Sequence, residues 1–252
     1  MHLKDALALR QGELVSLIGA GGKTTTLFRL AKELRDQGGK ILVTTTTKIF
    51  KPTKPHVERL FLVQDIDAFL TQSAAIEAPA AIGAGCGVDD EGKLIGLPSP
   101  WLDRLQRRGQ FDWIVVEADG AGSRLFKVPS EMEPVVPHSC QVTIWIMAIK
   151  ILGQPLHSNS IHRAERVTAL LGVPPDTQLT KAHVVRLVRH PQGCLRGIPA
   201  GSRKIALINQ ADSAGDIAQA KELGRDLLPS GFERVVITSY LSNEPVKEVL
   251  AH

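Results

Sequence analysis

Aromatic side chains are scarce in this chain: one Tyr, three Trp and seven Phe among 252 residues. So few rings offer little stacking platform for single-stranded nucleic acid, and that class is set aside despite a pI near 9.0. Cysteine is equally sparse. Cys86, Cys140 and Cys194 have no metal-ligand spacing and make no even set, so they frame neither a zinc site nor a disulfide scaffold. They read as small buried hydrophobes of a reducing compartment. No apolar run approaches the ~20 residues of a membrane-spanning helix. Met1-His2-Leu3-Lys4-Asp5 has no secretory h-region, so the expected location is the cytoplasm. What the chain does have is 43% hydrophobic residues, mostly aliphatic, enough for the core of one α/β domain over residues 1–252.

Its most specific feature is Val15-Ser16-Leu17-Ile18-Gly19-Ala20-Gly21-Gly22-Lys23-Thr24-Thr25. An apolar run enters a glycine-rich turn, and Lys-Thr-Thr then opens an amphipathic stretch. That order reads as strand, phosphate-binding loop and helix. Main-chain N–H groups of Gly19, Ala20, Gly21, Gly22, Lys23, Thr24 and Thr25 would surround an anion, assisted by the positive helix end. Lys23 would reach the β/γ-phosphates and the Thr24 hydroxyl would sit on Mg²⁺. The spacing is G-x-x-G-K-T rather than G-x-x-x-x-G-K-[ST], a shorter loop similar to that of Mur-type ligases.

Three further stretches suit the same chemistry. The apolar run ending at Glu117 and Asp119 delivers two carboxylates two residues apart, on one face of an extended chain. Either one fits the Mg²⁺ side, with the other orienting an attacking water. Asp119-Gly120-Ala121-Gly122 also fits the D-x-x-G switch pattern of GTPases, and Arg124 just beyond it is the best candidate for a charge-neutralising arginine. Thr44-Thr45-Thr46-Thr47-Lys48 follows the second strand; Thr45 is the candidate metal ligand there and Lys48 a phosphate contact, although threonine favours strands in any case. Asn209-Gln210-Ala211-Asp212 resembles the guanine-reading N-K-x-D motif with Gln210 in place of Lys. Asp212 would accept from guanine, and Ser239, at the end of the next apolar run, would read its O6.

Hydrophobic periodicity predicts strands over 13–18, 40–45, 59–63, 113–116, 142–149, 205–208 and 235–238. It predicts helices over 24–37, 66–73, 160–171, 180–188, 213–228 and 244–250, with Ser99 capping another to Arg108 and a hairpin within 80–97. Alternation of strands and helices implies a three-layer α/β fold like that of phosphate-loop NTPases, with a mostly parallel central sheet. Residues 150–204 form a basic helical insertion: nine Lys and Arg against Glu165 and Asp176, a net +7 within a chain of net +4. Such an excess suits an anionic partner.

The loop at 19–25, the Val43–Lys48 threonine run, Val116-Glu117-Ala118-Asp119-Gly120-Ala121, Lys127-Val128-Pro129, His162-Arg163 and the Pro199–Asp212 segment together resemble the YqeC-type proteins. That resemblance spans nearly the whole chain. It implies an accessory role for selenium-dependent molybdenum hydroxylases. By the same implication, the basic segment, through His162, Arg163, Arg166 and Arg186, would meet an anionic molybdopterin-type cofactor or an acidic client enzyme. Where relatives tend to carry Asn-Lys-x-Asp, Gln210 departs. The expected function is a Mg²⁺-dependent GTPase or ATPase acting as a switch or chaperone, with Lys23, Glu117 and Asp119 as its catalytic groups. The alternative is an ATP-dependent small-molecule kinase or Mur-ligase-like enzyme.

Overall fold

Short runs of Val, Ile, Leu and Ala, apolar on both faces, dictate strands that must be covered on both sides. In a computed structural model, which describes residues 1–242 and 244–252, they assemble a nine-stranded sheet. In chain order the elements are α1 (Leu3–Ala6), β1 (Glu13–Gly19), α2 (Lys23–Asp36), β2 (Lys40–Thr45), β3 (Lys48–Phe50), β4 (Arg59–Leu62), α3 (Ile66–Ala74) and β5 (Ala80–Gly85). Next come β6 (Gly87–Val88), β7 (Lys93–Ile95), α4 (Ser99–Arg108), β8 (Trp113–Glu117), β9 (Phe126–Lys127), β10 (Val142–Ala148), β11 (Ile161–His162), α5 (Ala164–Leu171) and α6 (Lys181–Arg189). The chain closes with β12 (Arg203–Asn209), α7 (Ala214–Leu227), β13 (Arg234–Thr238) and β14 (Val246–Ala251).

The sheet order is β14-β13-β12-β10-β1-β8-β2-β5-β4, parallel except for β14. Alternation along β1 sorts the layers. Val15 and Leu17 pack with Leu27, Leu30 and Leu34 of α2 and with α1. Leu14 faces the other way, onto α3 and α4, and Ile18 joins the cluster holding α5, α6 and α7. The result is a three-layer α/β fold, as the pattern predicts. The 150–204 segment is the crossover between the adjacent strands β10 and β12. No helix among the described residues is long and apolar enough to cross a membrane.

Several local expectations need correction. Residues 244–250 form no helix: β14 pairs antiparallel with β13. Val246, Val249 and Leu250 fit helical spacing, but the open edge of β13 and β-branched side chains favour a strand, and Lys247 and Glu248 keep that new edge polar. The helix expected from residue 160 begins at Ala164, because Ile161–His162 pairs with Phe126–Lys127 and Arg163 takes a left-handed φ of 60°. Pro98, not Ser99, is the N-cap of α4. Within 80–97, β5 belongs to the main sheet, and the hairpin is β6–β7, joined by β3 into a small three-stranded flap.

Candidate functional site

All three catalytic candidates meet at the C-terminal ends of β1 and β8, where open α/β sheets bind ligands. The Lys23 ammonium is buried. It donates to the Gly19 carbonyl at 2.7 Å and lies 2.9 Å from Asp119 Oδ1 and 3.7 Å from Glu117 Oε1. Behind Asp119 stands Lys127, whose side chain is 0% exposed. Its Nζ is 3.3 Å from Asp119 Oδ2, donates to the Gly120 carbonyl at 2.5 Å and to Glu133 Oε2 at 2.9 Å. Glu133 in turn accepts from Arg163 at 2.5 Å. Three cations (Lys23, Lys127, Arg163) thus balance three carboxylates (Glu117, Asp119, Glu133) in one chain of ion pairs. Nothing in the sequence reading assigns Lys127 a role; the Lys-Val-Pro stretch is the one hint.

The two carboxylates differ in environment. Thr24 Oγ1 donates to Glu117 Oε2 at 2.8 Å, and both residues line a cleft of about 1420 Å³. Asp119 sits deeper, accepting from the Gly19 N–H at 3.0 Å. Glu117 is therefore the carboxylate that faces solvent-borne ligands alongside Thr24. Burial raises its pKa above the ordinary value, against the opposing pull of Lys23 and Thr24. A divalent cation at Thr24 and Glu117 would add to that pull.

The amide cage is smaller than the motif suggests. Gly19 N–H is taken by Asp119, Ala20 N–H by the Ile146 carbonyl at 2.9 Å and Gly21 N–H by the Arg124 carbonyl at 2.9 Å. These three hold the loop rather than face a ligand. The N–H groups of Gly22, Lys23, Thr24 and Thr25 have no protein acceptor among the described residues, and all four residues line the cleft. They are the orphan donors at the start of α2. Three glycines make this turn possible, Gly21 among them, where at φ 82° a Cβ would lie 2.5 Å from the Ala148 nitrogen. A Cβ on Gly19 would lie 2.2 Å from the Ile146 carbonyl oxygen, and one on Gly22, at φ 130°, would lie 2.2 Å from Asn209 Nδ2. Gly22→Ala should therefore destabilise the fold by ~1–3 kcal/mol and weaken anion binding; a thermal melt matching wild type would contradict this.

The remaining sequence candidates divide. Thr45 leaves the metal set: its hydroxyl donates to the Glu117 carbonyl at 2.6 Å and accepts from the Thr47 N–H, serving the β2–β8 junction. Thr44 and Thr46 are likewise tied to backbone carbonyls, and only Thr47 of the run lines the cleft. Lys48 lines it too, paired with Asp89 at 2.9 Å. Arg124 reaches the cleft while donating to the Ser158 carbonyl at 2.6 Å.

Asn209 is structural in place. Its amide donates to the Gly21 carbonyl at 2.8 Å and accepts from Thr238, pinning the loop to β12. Asp212 accepts from Ser239 at 2.6 Å and is ion-paired with Lys150, the first cation of the basic 150–204 segment. Burial works against the Asp212 charge, but Lys150 and Ser239 outweigh it and lower the pKa. Asn209, Asp212 and Ser239 adjoin one another outside the cleft; of that segment, Gln210, at φ 61°, is the residue that lines it.

Of the basic segment, His162 lines the cleft. Burial and the nearby Lys127 and Arg163 charges lower its pKa, which favours the neutral ring. Arg163 is committed to Glu133, and Arg186 donates to the Leu171 carbonyl. The cleft's positive charge comes from elsewhere: Lys23, Arg29, Lys32, Lys48, Lys93 and Arg124 against Glu117 and Glu133.

The family model described as "YqeC protein" matches residues 15–165, the stretch that carries the loop, both carboxylates, Lys127 and His162. This chain belongs to the YqeC family. A relative from Escherichia coli (strain K12), named "Uncharacterized protein YqeC", is 32% identical over 231 residues, covering 92% of this chain and 89% of its own length. Membership of the YqeC family fixes the relationship; the chemistry rests on the geometry above.

Proposed function

We propose that this YqeC-family protein binds a Mg²⁺–nucleoside triphosphate, GTP or ATP, and hydrolyses it slowly, acting as a switch or chaperone in the maturation of selenium-dependent molybdenum hydroxylases in the cytoplasm. The observation that carries the nucleotide reading is the set of four unpartnered N–H groups at Gly22–Thr25, beside the Thr24–Glu117 pair and the Lys23 ammonium. A helix N-terminus with orphan amides favours phosphate. Thr24 and Glu117 supply hard oxygen donors, which suit Mg²⁺ completed by water and phosphate oxygens. Mg²⁺ bound there would neutralise charge developing on the phosphates. Lys23, drawn off Asp119 by the triphosphate, would do the same, and Lys127 would keep Asp119 compensated meanwhile. The client role rests on the family resemblance.

Asp212 paired with Lys150 suits a pocket in which the carboxylate is already neutralised, and it does not demand guanine. Calorimetric titration of wild type and Lys150→Ala with GTP-γ-S and ATP-γ-S, each with Mg²⁺, tests both steps. Tight binding of either analogue supports the nucleotide reading, and a gain for GTP-γ-S in Lys150→Ala places Asp212 at the base. No binding of either would end it. Transfer to a second ligand, as in a kinase or ligase, is the competing reading. It draws support from a cleft larger than one ligand needs.

A further inference from the structure

One ordinary ligand occupies a pocket of ~300–1,000 Å³; this cleft encloses about 1420 Å³. Its two ends differ in chemistry. At the Gln210 end it runs toward β12 and the Asp212–Ser239–Lys150 group. The other end lies between α2 and the flap, and the nucleotide reading assigns it no occupant.

That flap end has a consistent makeup. Thr24, Phe28 and Lys32 fall at successive i, i+4 positions and so share one face of α2. All three line the cleft. A hydroxyl at the helix start is thus followed, one turn on (~5.4 Å), by a ring, and after another turn by an ammonium. The Phe28 ring stacks face to face on His56, with centroids 3.9 Å apart and planes 13° from parallel. From the flap, Phe50 and Ile95 add apolar surface; they are 66% and 36% exposed. Lys48 and Lys93 bring cations to the same end, paired with Asp89 and Glu91. Exposed pairs of that kind are weak in water, so a ligand anion exchanges with them readily.

We propose that the flap end of the cleft binds a second ligand, a planar heteroaromatic anion, between Phe28–His56 and Phe50–Ile95, with its charge directed to Lys32, Lys48 and Lys93. The proposal deepens the nucleotide reading and rests on it only for what occupies the start of α2. It places the second ligand beside the phosphate end of the first.

The test uses the full chain and quinoxaline-2-carboxylate, which is flat, anionic and free of phosphate, followed by saturation-transfer NMR with and without saturating Mg²⁺–ATP-γ-S. The expected result is binding in both conditions, at least tenfold tighter than for uncharged quinoxaline or non-planar cyclohexanecarboxylate. The surface variant Phe50→Ala/Ile95→Ser should weaken it at least tenfold and leave nucleotide affinity unchanged, and Lys93→Glu should weaken it at least tenfold. Lys23→Met should weaken the nucleoside triphosphate and keep the probe, which separates failure of the two readings. Absence of probe binding to wild type, equal binding of cyclohexanecarboxylate, or indifference to both flap variants would overturn the proposal. So would displacement of the probe by the nucleotide, because the base would then occupy the flap.

Discussion

Replacing Lys23 by Met should lower affinity for Mg²⁺–nucleoside triphosphate by roughly 10–150-fold, the equivalent of ~1.5–3 kcal/mol for a hydrogen bond to a charged group. Affinity for the matching nucleoside monophosphate should hardly change, because an ammonium one residue into α2 reaches the β/γ end and not the α-phosphate. The side chain lies 2.9 Å from Asp119 and so has a structural role as well. The comparison between triphosphate and monophosphate removes that part, since misfolding would weaken both alike. Equal losses for the two ligands, measured calorimetrically, would make Lys23 a scaffold residue.

The largest stability effect should come from a residue outside the ligand-binding set. Lys127→Met leaves Asp119 and Glu133 one cation short in a buried chain of ion pairs, and breaking such a pair from one side costs ~3–5 kcal/mol. For a domain of this size that corresponds to a melting temperature lower by roughly 6–20 °C. Adding Asp119→Asn should recover part of the loss, because the carboxylate left bare is then neutral. A drop of under about 2 °C would show that the network is not coupled to folding. The acid limb reports on the same chain. Burial opposes the Glu133 charge, yet Arg163 and Lys127 outweigh it and bring the pKa from 4.5 to about 2. A depressed carboxylate stabilises the fold fully above its unfolded pKa and loses that contribution as pH falls toward the folded value. Glu133→Gln should accordingly flatten the stability profile between pH 4.5 and 2.

How far the site was legible varies with the range of the interactions. The turn at 19–25 was readable because glycine, lysine and threonine at fixed offsets encode a local geometry. Which amides face outward was not: Gly19, Ala20 and Gly21 donate to Asp119, Ile146 and Arg124, acceptors a hundred residues or more away. The choice between Glu117 and Asp119 stayed open for the same reason, and depth in the fold separates them. Thr45 looked like a ligand by position but spends its hydroxyl on the neighbouring strand. The Lys150–Asp212 pair joins the end of β10 to the loop after β12, and the flap joins residues 48–50 to 87–95; neither follows from spacing. At the chain's end, helical and strand periodicities coincide over too few residues to choose between them, and the free edge of β13 decides. By contrast, the long apolar runs that build the sheet were plain, since burial on both faces leaves few alternatives.

The central claim is that the start of α2 grips a triphosphate. A crystal structure of the protein with Mg²⁺ and ATP-γ-S or GTP-γ-S tests it most directly. The account predicts phosphate oxygens ~2.7–3.2 Å from the nitrogens of Gly22, Lys23, Thr24 and Thr25, a metal ion against Thr24 and Glu117, and the Lys23 ammonium moved from Asp119 to phosphate. Phosphates bound elsewhere, with Lys23 still on Asp119 and those four amides on solvent, would contradict it.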